Sequence, residues 1–234
     1  MDSNCRPNGW LVRPDLGTGG YCRSMAEIRR LTDSCVLVTD DFGAITMFDP
    51  GFHTFESGEI DLETIGDVHR ILISHEHGDH ASPGFVKWVI DRGDDVKVYS
   101  NQAVASLLEP HGIEVVTATP EGIVSEDVLH EEVPTGARPP NRSYSLGDLY
   151  TQPGDSYQPT FTGRVLALPL MTPWGSATAS VEFARRLAPQ QVVPVHDFYL
   201  TKPGRGWLYG LIGSVLAKDG IEFVSLNWGD AYTP

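Results

Sequence analysis

From Ala26 onward, apolar residues either alternate with polar ones or gather in short runs. "EIRRL", "CVLVT" and "AITMFD" show the two-residue alternation and β-branched content of strands, with "DDFG" as the turn between the last two. "DLETIGDV" predicts a short helix and "RILIS" a buried strand. In "SPGFVKWVIDRG", Ser82 is the N-cap and Pro83 opens the first turn. Phe85, Val86, Val89 and Ile90 share one face, and Gly93 closes the helix. "VKVYS" follows as a strand and "NQAVASLLEPHG" as a helix capped by Asn101. "IEVVTA", "GIVSEDVLHEEV", "RSYSL" and "LYTQ" predict successive strands.

The last third alternates regularly. Strand "RVLALPL" precedes helix "SATASVEFARRLAP", strand "QVVPV" precedes helix "GWLYGLIGSVLAKDG", and strand "IEFVSL" ends the series. Strand-rich then strand–helix organisation predicts an α/β domain in which helices cover sheets. "CVLVTDDFGAITMFDPG" and "RSYSLGDLYTQPGDS" are both strand–turn–strand units with an Asp beside Pro-Gly, an echo that duplication and chance explain equally well. Residues 1–24 have neither periodicity and read as a flexible N-terminal extension, which leaves 25–234 as a single domain.

A chain of 234 residues with 41% hydrophobic content suffices for one sizeable core. No run approaches the length of a membrane span, and the opening "MDSNCRPNGWLVRPDLGTGG" lacks the apolar centre of a secretory signal, so a cytoplasmic protein is expected. The three cysteines, Cys5, Cys22 and Cys35, are odd in number, without CxxC spacing, and give no disulfide framework. A net charge of −14 opposes a nucleic-acid partner, whose phosphates require a basic footprint. A small-molecule substrate is expected instead, and homo-oligomerisation is left open.

The densest chemistry is "SHEHGDH", residues 74–80, directly after the apolar run "ILI". Gly78 opposes a helix there, so the residues belong on a tight loop at a strand's carboxyl end, where ligands bind in sheets flanked by helices. His75 and His77 can turn their imidazoles to one side, and Asp79 and His80 to the other, toward a second ion. Imidazole nitrogen with carboxylate oxygen suits zinc, with manganese and iron as competitors. A solvated charged loop does not explain such crowding after a buried strand. Four local residues cannot close two sites. His196 in "VVPVHDF", Asp155 in "QPGDSY" and His130 in "EDVLHEEVP" are the candidates from elsewhere, and a carboxylate at Asp155 can bridge two ions. His53, His69 and His111 complete no spacing pattern and are expected at the surface or outside the ligand set.

Taken in order, "FDPG", "SHEHGDH", His130, "PGDS" and "VVPVHD" resemble the metallo-β-lactamase superfamily, in particular its small hydrolases that include the ascorbate-6-phosphate lactonases. The resemblance runs from about residue 26 to the C-terminus and implies a four-layer αβ/βα sandwich with metals at one edge between two sheets. By position it assigns His75, His77 and His130 to one ion, Asp79, His80 and His196 to the second, and Asp155 to both. Asp49 of "FDPG" would orient an imidazole from outside. No cysteine lies beyond Cys35, so the thiolate ligand of the antibiotic-degrading members has no counterpart.

The resemblance implies a dinuclear zinc hydrolase in which a hydroxide generated on the metals attacks a small ester, lactone or phosphoester, with Asp79 as a proton shuttle. Two divalent ions, two carboxylates and that hydroxide leave about one positive charge, which suits an anionic substrate or transition state. Arg138, Asn141 and Arg142 are candidate anion contacts, though a solvated loop explains them more simply. Trp174, Tyr199, Lys202 and Trp207 are candidate pocket walls without a decided role. The alternatives are a phosphodiesterase acting on nucleotides or nucleic acid, a di-iron oxidoreductase, and a metal-binding protein that senses without turnover.

Overall fold

In the computed structural model, which describes residues 26–234, the chain forms two sheets packed face to face with helices outside each. The extension expected over residues 1–24, with Cys5 and Cys22, lies outside the described residues. The first half supplies strands β1 (Glu27–Arg30), β2 (Val36–Thr39), β3 (Ile45–Phe48), β4 (Val68–Leu72), β5 (Lys97–Tyr99) and β6 (Val115–Val116). The second supplies β7 (Ile123–Leu129), β8 (Pro140–Leu146), β9 (Tyr150–Gln152), β10 (Val165–Pro169), β11 (Gln191–Val195), β12 (Glu222–Phe223) and β13 (Ala231–Tyr232). The helices are α1 (Phe52–Glu56), α2 (Pro83–Ile90), α3 (Gln102–Leu108), α4 (Ala177–Leu187) and α5 (Lys202–Leu216).

One sheet runs β13-β1-β2-β3-β4-β5-β6 and the other β12-β11-β10-β9-β8-β7. Three apolar clusters define the layers. Val36, Val38, Phe48 and Leu72 meet Tyr144, Tyr150, Val165 and Val193 between the sheets. Phe85, Val86, Val89, Val104 and Leu108 lie on the outer face of the first sheet, and Phe183, Ala184, Leu208 and Ile212 on that of the second. Three apolar interfaces require four layers, α/β/β/α. This is the four-layer sandwich that the resemblance implies.

The two halves share a topology. β2 and β3 pair antiparallel and β3 runs parallel to β4; β8 and β9 pair antiparallel and β9 runs parallel to β10. The echoed "DPG" and "PGD" segments therefore leave equivalent strands at the same end of facing sheets. They carry Asp49 and Asp155 there.

Helix α2 forms where its pattern predicts: the Ser82 hydroxyl accepts the Phe85 N–H at 3.4 Å, Pro83 occupies the first turn, and Phe85, Val86 and Val89 are buried. Other boundaries differ. "DLETIGDV" forms only a single 3₁₀ turn, Leu62–Thr64, after which Ile65 is already extended. Helix α5 begins at Lys202, before the expected "GWLYG" start, because the Thr201 side chain caps it and Pro203 fits the first turn. Helix α1 was not predicted; five residues are too few to display a period. β6 and β12 pair over two residues each, shorter than "IEVVTA" and "IEFVSL" suggest, since both lie at sheet edges. β7 stops at Leu129, so His130 stands beyond the strand rather than within it.

Phe85 is fully buried where α2 meets the first sheet. Replacing it with Ala should cost about 3–5 kcal/mol of stability, the usual penalty for emptying an aromatic site in a core. Urea unfolding followed by circular dichroism checks this, and a loss under about 1 kcal/mol would contradict the packing described.

Candidate metal centre

The loop after β4 has little freedom. The Asp49 carboxylate accepts the Ser74 N–H at 2.7 Å, the Phe52 N–H donates to Gly78 O at 2.9 Å, and the Ser82 N–H donates to Pro50 O at 3.0 Å. The His80 and Ala81 N–H groups both donate to His77 O, closing the turn. A Cβ at Gly51 would sit 1.8 Å from the backbone oxygen of Asp79, so only glycine lets the two loops pass. Ser34 donates its hydroxyl to that same oxygen. Gly154 holds the Asp155 turn similarly: its φ is +63° and a side chain would strike Asn141 and Ser74.

The fold brings the seven candidate ligands together in two groups. His75, His77, His130 and Asp155 offer one set of donor atoms, all within 4.8 Å of one another; Asp79, His80, Asp155 and His196 offer the other. Asp155 belongs to both through different oxygens. Its Oδ1 lies 2.9 Å from His80 Nε2 and 2.7 Å from His196 Nε2, and its Oδ2 lies 3.1 Å from His130 Nε2 and 3.8 Å from His75 Nε2. His75 Nε2 and His77 Nδ1 are 3.0 Å apart, and Asp79 Oδ2 lies 3.9 Å from His80 Nε2.

The far nitrogens are held from behind. His80 Nδ1 faces Asp49 Oδ2 at 3.0 Å, and that oxygen also accepts from Gln152 at 2.8 Å. The Ser74 hydroxyl lies between His75 Nδ1 at 3.0 Å and His80 Nδ1 at 3.1 Å, while His130 Nδ1 meets the carbonyl of Glu131. Such contacts select the tautomer that turns Nε2 toward an ion. The next residue after His196, Asp197, forms a fully buried ion pair with Arg30, which Tyr209 and Trp228 complete by hydrogen bonding to the same carboxylate. Breaking a buried pair on one side strands a charge, so this network pins the chain next to His196.

Burial alone would raise the Asp155 carboxyl, but the surrounding His196, His80 and His75 charges hold it well below the usual carboxylate range. Burial likewise opposes charge on His196, yet Asp155 outweighs it and lifts the imidazole to about 9. His80 is raised well above its ordinary value by Asp155 and Asp49 against the same burial. His75 goes the other way: burial and the His80 charge keep it neutral.

Sequence reasoning missed Asp33. It sits in the turn between β1 and β2 with Oδ2 3.7 Å from His53 Nε2 and Oδ1 4.0 Å from His196 Nδ1. No spacing links a turn residue in "LTDSC" to His196, more than a hundred residues away. His53, expected at the surface or outside the ligand set, is buried beside it and stacks on Phe198 at 4.0 Å. His69 and His111 are exposed. The expected anion contacts are committed elsewhere: Arg142 binds Asp127 and the carbonyls of Ser100 and Thr117, Arg138 reaches His130 O and Glu131, and Asn141 bonds Pro153 O and the Asp155 N–H. Tyr199, Lys202 and Trp207 are exposed, with the Tyr199 ring edge-on to His53.

His80 Nε2, His130 Nε2, His196 Nε2 and Asp155 Oδ1 are buried without a hydrogen-bond partner. Buried polar atoms rarely stay unsatisfied, and four of them converging is what a cation resolves. The donors are imidazole and carboxylate only; the one described cysteine, Cys35, is buried, with its thiol pKa pushed up by that burial. This set fits a divalent transition metal.

Fold and site together place the chain in the metallo-β-lactamase superfamily, and the sequence profile of that superfamily matches residues 29–133. Protein Rv0786c of Mycobacterium tuberculosis (strain ATCC 25618 / H37Rv) is 30% identical over 209 residues, 82% of this chain and 94% of that one. Among solved structures, a candidate metal-dependent hydrolase from Parabacteroides distasonis ATCC 8503 superposes with a TM-score of 0.66 at 20% identity, over 86% of this chain and 92% of its own. Igni18, a metallo hydrolase from Ignicoccus hospitalis KIN4/I, gives a TM-score of 0.65 at 16% identity, over 88% and 97% of the two chains. No helix among the described residues is long and apolar enough to cross a membrane.

Two outcomes follow from this geometry. Asp49→Asn should lower metal affinity about 10–100-fold while leaving the circular dichroism spectrum unchanged, as measured by chelator competition. The raised His196 value stabilises the metal-free fold below the unfolded imidazole pKa, and that contribution fades as pH rises through about 9. Metal must displace the same proton, so loading at pH 7 should release protons, seen by calorimetry in buffers of different ionisation enthalpy. Zero release would contradict the assignment of His196.

Proposed function

We propose that the protein is a metal-dependent hydrolase that holds two zinc ions and cleaves a small ester, lactone or phosphoester. The observation that carries this reading is Asp155, with one oxygen directed at each histidine group. Manganese or iron suit the same donors. When bound, a divalent pair supplies an acidified water as nucleophile and polarises the substrate oxygen.

The residues around it have distinct work. His75, His77 and His130 would hold one ion and Asp79, His80 and His196 the other, with Asp155 shared between the two groups. Asp79 is the least buried carboxylate of the set, its side chain 30% exposed, so a proton displaced in the reaction can leave through it to solvent. Trp174 and Tyr157 wall one flank, their rings 5.3 Å apart. With Arg142 and Arg138 engaged by carboxylates and carbonyls, binding of an anionic group falls mainly to the ions. The net charge of −14 favours a small substrate over a nucleic-acid polymer, and the resemblance to the lactonase branch makes lactones the first compounds to test.

The protein loaded with zinc should bind two equivalents and turn over at least one member of a panel of lactones, thioesters and phosphodiesters. His77→Ala and His196→Ala should each lose an equivalent, and turnover with it. Two ions without turnover on any compound would favour a binding or sensing role; turnover confined to phosphodiesters would favour the nucleotide reading.

A further inference from the structure

His75, His80 and His130 each meet an outer partner through Nδ1 that survives metal binding, but the shared carboxylate has a different problem. Its close neighbours His80, His130 and His196 all approach through Nε2, the atom each would use to hold an ion. Once those nitrogens ligate, none of them can donate a proton to Asp155. Among the described residues, one side-chain donor to that carboxylate is not itself a candidate ligand: the Trp174 indole, whose Nε1–H reaches Asp155 Oδ2 at 2.8 Å.

The indole is built in place. Its ring stands edge-on to His130 at 5.6 Å and to His196 at 6.0 Å, one residue from each group, and packs on Tyr157 at 5.3 Å. The segment carrying it is tied to the strand end that bears His196, since the Leu170 and Met171 N–H groups donate to Val195 O and His196 O, both at 3.0 Å. At Gly175 a Cβ would lie 2.6 Å from the Tyr157 hydroxyl and 2.8 Å from Thr172 Oγ1, so a side chain there would force these groups to move. Ser176 then caps α4.

We propose that Trp174 is a positioning residue for the metal pair: its N–H occupies one lone pair of Asp155 Oδ2 and leaves the other directed at the His75, His77 and His130 group. A carboxylate oxygen has room for both, and hydrogen bonds to ligating carboxylates are the usual way their orientation is kept. Without the indole N–H, Asp155 retains the short contacts of Oδ1 on the His80 and His196 side, and Oδ2 loses its restraint. The ion in the His75 group is the one weakened.

This inference rests on the proposed two-ion reading, and stepwise titration of metal-free protein with Co(II) separates the two. Ion binding is followed by visible absorption and by equilibrium dialysis. Wild-type protein should take up two equivalents. Trp174→Phe, which keeps a ring but removes the donor, should take up the first with unchanged affinity and the second about 10–100-fold more weakly. Trp174→Leu should match it, and circular dichroism of both metal-free variants establishes that they are folded. Should Trp174→Phe not fold, Trp174→Leu decides alone; should neither fold, the indole is a core residue and the proposal is overturned. Wild-type uptake of fewer than two equivalents sinks the two-ion reading itself. Two equivalents in wild type with the same stepwise affinities in Trp174→Phe leaves that reading standing and overturns the role of Trp174.

Discussion

A single buried carboxylate organises this molecule. Asp155 is 2% exposed and faces His75, His80, His130 and His196, so its charge is sustained only by what surrounds it. An isolated carboxylate at that depth would be neutral. The fold must therefore deliver cationic or metal-bound partners from both halves of the chain, and it strains the backbone to do so. Asp33, Asp49 and His196 have φ of +53°, +47° and +57°, values that side chains other than glycine rarely adopt. Residues so strained cost about 1–3 kcal/mol each and persist where the surroundings over-determine them. Here the buried Arg30–Asp197 pair and three apolar layers do that.

How much of this could be read beforehand depends on distance along the chain. The crowding in "SHEHGDH" is local, so composition and spacing exposed it, and its split into two groups follows the chain, with His75 and His77 before Gly78 and Asp79 and His80 after it. His196 was visible because it follows the apolar run "VVPV", and Asp155 because it stands on a Pro-Gly turn just after a strand. His130 was harder: β7 is an edge strand with an exposed face, and its ragged pattern hid the strand's end at Leu129. Asp33 and the Trp174 hydrogen bond left no trace at all. A turn aspartate and a loop tryptophan are ordinary in sequence, and only the meeting of the segments that follow β1, β10 and β11 at one end of the sandwich gives them a role.

The equivalence of the two halves explains why the site lies where it does. Asp49 and Asp155 leave matching strands of facing sheets, yet one orients His80 from behind and the other lies between the two groups. Neither half could close the site alone. Phe48 and Tyr150, with ring centroids 5.1 Å apart in the inter-sheet core, register the sheets directly beneath these two carboxylates. Packing between the sheets thus sets the geometry of the site, and a shift of one sheet along the other would separate the ligand groups before it exposed much apolar surface.

Charge operates on two scales in the proposed reaction. The molecule as a whole carries −14, which at a distance repels anions. At physiological ionic strength that field fades within about 8 Å, whereas a buried ion pair in low dielectric is screened far less. On that reading, a small anionic ester entering beside Asp79 would exchange a weak, screened repulsion for a strong local attraction. A polyanion would not make that exchange under the proposed reading, since only one of its phosphates would reach the ions while the others stayed near a chain of net charge −14. On the proposed reading, an acidic exterior around a metal-loaded site would select for size as well as for charge, with no arginine free to do so among the described residues that approach the site.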